Sequence, residues 1–463
     1  MSRRHFPTRA ASFPARAVSA VITDASLAVS GALALGAMAL GVPAFGSAHA
    51  AALAVPPTEE RSVSYLRYRV EVPASWPVIS LATARSACVR FDQHAVYLGT
   101  PTPMQRCPAH LIRAKTEALL IEPLSARHHT SGTTASRVAH EYVVTDAAAG
   151  VQVTATYGTD RVLIDNILRR AATSPGALTW EAGQTARQFL AAPAARATAR
   201  SGLPDPALTR PALLPISATN GTGRGFDTCT APSAATMNAW MSHSRYRAVG
   251  IYIGGSDRAC AQPNLTADWV SRQAAAGWHF IPLYVGPQAE RGEITAPARQ
   301  GTSAADDAVV QARALGFRAG APVYYDMEAY PRRQSARALA FLSAWTNELH
   351  RRGYASGIYS SSASGVTDLV NHYGNPGYAT PDVLFDALWN GDADTNDPAI
   401  PPGYWAHHQR LHQYSGGTKQ TFGGRSLEVD RDYLDVLLSR RPGGLVPDAA
   451  APLSGREGLF LLH

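Results

Sequence analysis

The chain has 463 residues, 46% hydrophobic and 17% charged. That composition excludes a wholly disordered protein, and the length exceeds what one ordinary core accommodates, so two or three domains are expected. The net charge of +7 suits an anionic partner, but no basic helix, zinc-finger spacing or aromatic RNA-binding signature accompanies it, which argues against nucleic acid.

Residues 1–50 read as an export signal peptide. Ser2-Arg3-Arg4-His5-Phe6 matches the twin-arginine signature, an apolar Gly/Ala-rich stretch spans 27–45, and Ala48-His49-Ala50 is a small-x-small cleavage pattern. Gly31, Gly36, Gly41 and Pro43 make a poor membrane span, and no later segment is apolar enough to cross a bilayer, so no integral span is expected after cleavage.

Residues 51–192 alternate like strands at 65–73, 140–145 and 150–157, with helical patterns at 165–170 and 181–190. They predict a small α+β domain whose role is not readable. Glu117, Glu122, His128 and His129 are scattered polar residues of the kind that are usually solvated. Residues 193–222 are rich in Ala, Pro and Arg, a linker composition that predicts few contacts between the segments it joins. Residues 442–463 form a similar tail.

From 223 to 441 apolar strand candidates recur at 225–227, 248–254, 279–285, 322–328, 355–360, 383–389, 410–414 and 427–430. Helical stretches at 233–242, 266–276, 303–315, 334–351 and 364–372 separate most of them. Eight strands with helical crossovers predict an α/β fold, a (β/α)₈ TIM-like barrel preceded by the small α+β domain. A doubly wound sheet would carry its Gly-rich loop after the first strand, whereas Gly221-Thr222-Gly223-Arg224-Gly225 precedes it.

The four cysteines are an even set in an exported chain and fall in local pairs, Cys88 with Cys107 and Cys229 with Cys260. One disulfide in each half is the expected pattern. No CxxC or CxH spacing supports a zinc site, and neither metal nor cofactor is expected.

Chemistry concentrates in Val323-Tyr324-Tyr325-Asp326-Met327-Glu328. Strand alternation puts Asp326 and Glu328 on one face, roughly 6–7 Å apart at the backbone. Carboxylates that close raise each other's pKa, so one can stay protonated near neutral pH and donate a proton to a glycosidic oxygen. Asp227, Gln288, Tyr359, Trp389, Gln413, Tyr414 and Asp430 fall at the ends of other predicted strands, where barrel sites gather. The four acids and Trp389 each have a plainer reading: an arginine pair for Glu328, a structural acid for Asp326, a turn cap for Asp227, a pairing of Asp430 with Arg410 or Arg431 beside Asp432, and core packing for Trp389.

Gly225-Phe226-Asp227-Thr228-Cys229, Tyr252-Ile253-Gly254-Gly255, Pro282-Leu283-Tyr284-Val285-Gly286-Pro287-Gln288, Tyr324-Tyr325-Asp326-Met327-Glu328 and His412-Gln413-Tyr414 together resemble the glycoside-hydrolase-like TIM-barrel domain of exported bacterial proteins. That family is related in layout to family 25 lysozymes. The resemblance implies a cell-envelope setting and a site in which Asp227, Asp326, Glu328 and Asp430 carry the acids. Tyr284, Gln288, Tyr359, Trp389, Gln413 and Tyr414 would contact a polysaccharide or peptidoglycan. The expected function is hydrolysis of an N-acetylated cell-wall or extracellular polysaccharide. The alternative is a carbohydrate-binding or structural envelope module that uses the same cleft without turnover.

Overall fold

The computed structural model describes residues 59–102, 104–124, 130–171 and 219–438. The expected signal peptide, the expected helix at 181–190, most of the expected linker, His128, His129 and residues 442–463 lie outside them. All the described residues belong to one compact unit.

The first part is mostly sheet. Strands β1 (Glu60–Tyr65) and β2 (Tyr68–Pro73) form a hairpin. Strands β3 (Val78–Ser80), β4 (Val96–Leu98), β5 (Ala118–Pro123), β6 (Gly132–Ser136), β7 (Glu141–Asp146) and β8 (Val151–Thr156) form a six-stranded sheet in the order β3-β4-β5-β8-β7-β6. Helix α1 (Arg161–Ala171) follows, its start capped by Asp160 Oδ1, which accepts from the Leu163 amide at 2.9 Å. Ile164, Ile167, Leu168 and Ala171 make one buried stripe against Val70, Val72, Val151 and Val153. That is the i, i+3, i+4, i+7 pattern of an amphipathic helix, and each large aliphatic residue so buried contributes about 1.5–3 kcal/mol.

The second part is a closed eight-stranded barrel. Strands β9 (Gly221–Asp227), β10 (Tyr246–Gly254), β11 (His279–Tyr284), β12 (Pro322–Met327), β13 (Ala355–Ser361), β14 (Val383–Ala387) and β15 (Gln409–Phe422) run parallel, and β16 (Arg425–Val436) closes the barrel antiparallel to both β15 and β9. Helices α2 (Ala234–His243), α3 (Ala267–Ala275), α4 (Pro297–Ala314), α5 (Ser335–Arg351) and α6 (Thr367–Asn371) follow only β9 to β13.

This corrects the expected (β/α)₈ TIM-like barrel: the barrel is mixed, and no helix joins β14 to β15 or β15 to β16. The cause is local. Gly423 and Gly424 both take positive φ, 54° and 70°, as a two-residue hairpin turn requires, and residues 416–422 and 426–429 on either side of them alternate in burial. The eighth strand therefore returns beside the seventh without a crossover.

Side chains alternate across the barrel wall. On β12, Val323, Tyr325 and Met327 point outward into a core shared with Trp345, Phe341 and the other helix residues. Tyr324 points into the barrel with Leu283, Val285, Tyr359, Phe385 and Leu434.

Contacts cross between sheet and barrel more densely than the linker composition predicted. Arg90 bridges to Cys260 and Ile112 to Arg258, and the Arg113 and Lys115 amides donate to the Asp257 and Ser256 carbonyls at 3.1 and 3.3 Å. Buried Lys115 pairs with Glu141 at 2.9 Å, and Glu141 also accepts from Arg258 of the barrel at 3.4 Å. The structure forms the two local disulfides, Cys88–Cys107 and Cys229–Cys260, and places them side by side: Thr230 Oγ1, next to the second bridge, donates to Cys107 Sγ at 3.6 Å.

Candidate functional site

Inward-facing residues of β9, β12 and β16 bring the acids together. Asp227 and Asp430 are register partners in the β9–β16 ladder, and Asp432 partners Gly225 one step further along the barrel. All three are at most 1% exposed, as is Asp326. The side chain of Glu328 reaches the mouth and is 28% exposed. The four acids proposed from the sequence thus sit at one end of the barrel. Asp430 arrives differently from the expectation, because its strand runs backward and a cross-strand pairing, rather than a strand end, delivers it.

His110 occupies the centre of the group, from the loop between β4 and β5. Its Nε2 lies 2.8 Å from Glu328 Oε1, its Nδ1 is 3.2 Å from the Tyr252 hydroxyl and 3.7 Å from Asp430 Oδ2. Tyr252 spends its own proton on Asp227 Oδ1 at 2.9 Å, and burial keeps the phenol neutral, so its oxygen accepts from Nδ1. Both ring nitrogens therefore donate, and the ring is an imidazolium. Burial alone would depress it, but the touching Glu328 carboxylate, with Asp326 and Asp227 behind, raises its pKa to about 10.

The acids divide by environment. Burial and the charge of Glu328 hold Asp326 well above the usual carboxylate range, so it is protonated and hydrogen-bonded to Glu328. Burial, then Asp430, push Asp227 up to about 7 against the stabilising effect of His110, Gln413 and Tyr252. Burial also raises Asp430, which takes a hydrogen bond from the Gly417 amide, and raises Asp432 well above its ordinary value. Glu328 goes the other way. Burial would raise it, but the His110 charge and hydrogen bond prevail and hold it below its ordinary value. The resting site is an ionised Glu328 between two proton carriers, Asp326 and His110.

Gln413 organises the rest. Its Nε2 donates to Asp227 Oδ2 at 2.9 Å, while its Oε1 accepts from the Tyr359 hydroxyl at 3.0 Å and from Trp389 Nε1 at 2.9 Å. That last bond tethers a tryptophan that is 65% exposed, an unusual state for so large an apolar side chain. Its ring lies against Gly416, where an added Cβ would come within 2.0 Å of it.

The remaining sequence candidates lie elsewhere. Gln288 is fully buried and holds the end of β12: its Nε2 donates to the Asp326 carbonyl at 2.8 Å and its Oε1 accepts from the Glu328 amide at 2.9 Å. Tyr284 points outward between barrel and helices and donates to Asp307 at 2.9 Å. Tyr414 is fully buried on the outward face under Arg431, whose guanidinium carbon lies 4.7 Å from the ring centre. Alternation decides this: with Gln413 inward, Tyr414 cannot line the mouth. Sequence reasoning missed His110 altogether and quoted Tyr252 only within a motif. Nothing in Pro108-Ala109-His110-Leu111-Ile112 marks the histidine as part of a site.

Three aspartates and a glutamate thus gather at one mouth of the closed barrel. Residues 238–434 match the family model of the Rv2525c-like, glycoside hydrolase-like domain. No curated protein matches the chain. Among solved structures, it is similar to the Tat-secreted protein Rv2525c of Mycobacterium tuberculosis, bound to L-tartrate, with 18% identity over 48% of this chain and 99% of that one and a TM-score of 0.34. An uncharacterized protein of B. stearothermophilus matches at 21% identity over 46% and 95%, with a TM-score of 0.34. The catalytic domain of endolysin ply40 from bacteriophage P40 of Listeria monocytogenes matches at 14% over 46% and 93%, with a TM-score of 0.29. His110 lies outside the segment that the family model covers.

Proposed function

We propose that this is an exported glycoside hydrolase acting on a cell-wall or extracellular polysaccharide that contains N-acetylated sugars. One observation carries the reading: Asp227, Asp326, Glu328 and Asp430 converge at a mouth that also presents the exposed ring of Trp389. The glycoside hydrolase-like domain match and the twin-arginine pattern at Arg3-Arg4 support it.

In this reading Trp389 stacks on a sugar ring, and Glu328 protonates the leaving oxygen. Glu328 is ionised at rest and is supplied with its proton by Asp326, which already hydrogen-bonds it. Asp227, Asp430 or the substrate's own acetamido oxygen stabilises the positive centre that develops. Gln413, Gln288 and Tyr359 hold these groups in place.

The test is incubation of the purified mature protein with peptidoglycan sacculi and N-acetylglucosamine hexamer, with mass spectrometry of the products. New reducing ends are expected, and Glu328→Gln should lower turnover by about 10²–10⁴-fold while leaving binding within a few-fold. Binding without cleavage in the wild type would replace hydrolysis with a carbohydrate-binding module. The ion pair that keeps Glu328 ionised is the observation that favours this second reading.

A further inference from the structure

Five carboxyl groups crowd the barrel mouth, and among the described residues no lysine or arginine makes an ion pair with Asp227, Asp326, Glu328 or Asp430. Arg291 of the barrel acts on Glu328 only from a distance, since it is paired with Asp257 and Glu293. The cation in contact comes from His110, 218 residues before Glu328 in the sequence and on the other side of the linker.

Two kinds of element could place a histidine there. A removable plug would sit on a segment with few anchors, so that substrate could displace it. A built-in residue would be fixed on both sides. The loop here is fixed on both sides. Before His110, Cys107 is bonded to Cys88 and accepts from Thr230 of the barrel; after it, Ile112 bridges to Arg258, and the Arg113 and Lys115 amides are bonded to the Asp257 and Ser256 carbonyls. The ring is held at both nitrogens. Moving it would also leave Glu328 and Asp430 without their cation, a costly change for buried charge.

We propose that His110 is a permanent positioning residue of the glycan site, lent by the N-terminal sheet to hold Glu328 in place and to balance the barrel's acids. This rests on the hydrolase reading above. It makes the site composite: the barrel provides the acids and the sugar platform, and the sheet provides the cation that orients them. The groups facing the ring are Asp326 from β12 and Glu328 just past its end, Asp227 from β9, Asp430 from β16 and Tyr252 from β10.

The experiment uses the full mature chain as wild type, His110→Ala, His110→Gln and Glu328→Gln, with N-acetylglucosamine hexamer as the probe. His110→Ala should lose about 10²-fold in kcat with KM within about threefold, and added imidazole should restore part of the loss. The pH–rate limb that reports Glu328 should move to higher pH, because the burial that raises its pKa would no longer be opposed by the His110 charge. Faster turnover in His110→Ala would overturn the proposal in favour of a plug, and unchanged kcat, KM and pH profile would reduce the residue to a structural one. Nitrogen-15 NMR of the His110 ring separates this from failure of the hydrolase reading. A ring still doubly protonated at pH 8 in the wild type, but neutral there in Glu328→Gln, upholds the pairing even if no glycan is cleaved. A neutral wild-type ring at pH 8 overturns it.

Discussion

Asp227 and Asp430 face each other directly across the antiparallel β9–β16 ladder, and Gln413 and Gly417 give each a hydrogen bond that its partner cannot. Two carboxyl groups on one face of a ladder destabilise it when both are charged. The site avoids this by keeping protons: Asp227 titrates near 7 rather than in the usual acidic range. Proton storage is therefore a property of the barrel wall as well as of the Asp326–Glu328 pair.

Asp432 extends this storage to a position that has no catalytic need for it. It is fully buried, neither of its oxygens has a partner, and its folded pKa lies well above 3.8. The folded state therefore binds more protons than the unfolded state from about pH 4 upward, and stability falls as pH rises towards the folded value. Asp432→Asn should remove that slope. At pH 8 it is expected to raise Tm by about 2–4 °C, the shift that one kcal/mol makes in a domain of about 200 residues. At pH 3.5 it should have little effect. Calorimetry at the two pH values checks the sign.

His110 gives a dependence of different origin. Its folded pKa is raised from 6.5 to about 10, so its contribution is fully present below pH 6.5, declines above it and is gone once pH passes about 10. Wild type should therefore lose stability between pH 7 and 10 more steeply than His110→Ala, and the two melting curves should converge at the alkaline end. Parallel curves across that range would contradict the pairing with Glu328.

Trp389 is expected to contribute to binding rather than to folding. Trp389→Ala should weaken binding of N-acetylglucosamine hexamer by about 3- to 10-fold, the size of an aromatic contact worth 0.5–1.5 kcal/mol, with little change in Tm. Gly416→Val should mimic it, because the new side chain would occupy the space of the indole ring. Calorimetric titration of both variants beside the wild type provides the comparison.

Some of this could be read in the sequence because it depends on short-range alternation. The β12 pattern from Val323 to Glu328 placed two acids on one face, and the structure has Asp326 and Glu328 facing inward together. The same rule was not carried one residue further on β15, where Gln413 faces in and Tyr414 out. Gly423-Gly424 between alternating flanks is a hairpin signal, whereas a count of eight strands with helices between most of them points to a (β/α)₈ barrel. His110 left no local trace. Its role is set by a contact with no period and no motif, fixed only when the sheet packs on the barrel.

The cysteine pattern has a consequence for how the two halves stay together. Each disulfide closes within its own half, 88 to 107 and 229 to 260, and neither spans residues 172–218. A single cut in that stretch would yield two separate polypeptides joined by no covalent bond, with the histidine on one and the acids on the other. They would remain a pair only through non-covalent contacts, such as those around Lys115, Glu141, Arg258 and His110, and their association would then depend on concentration.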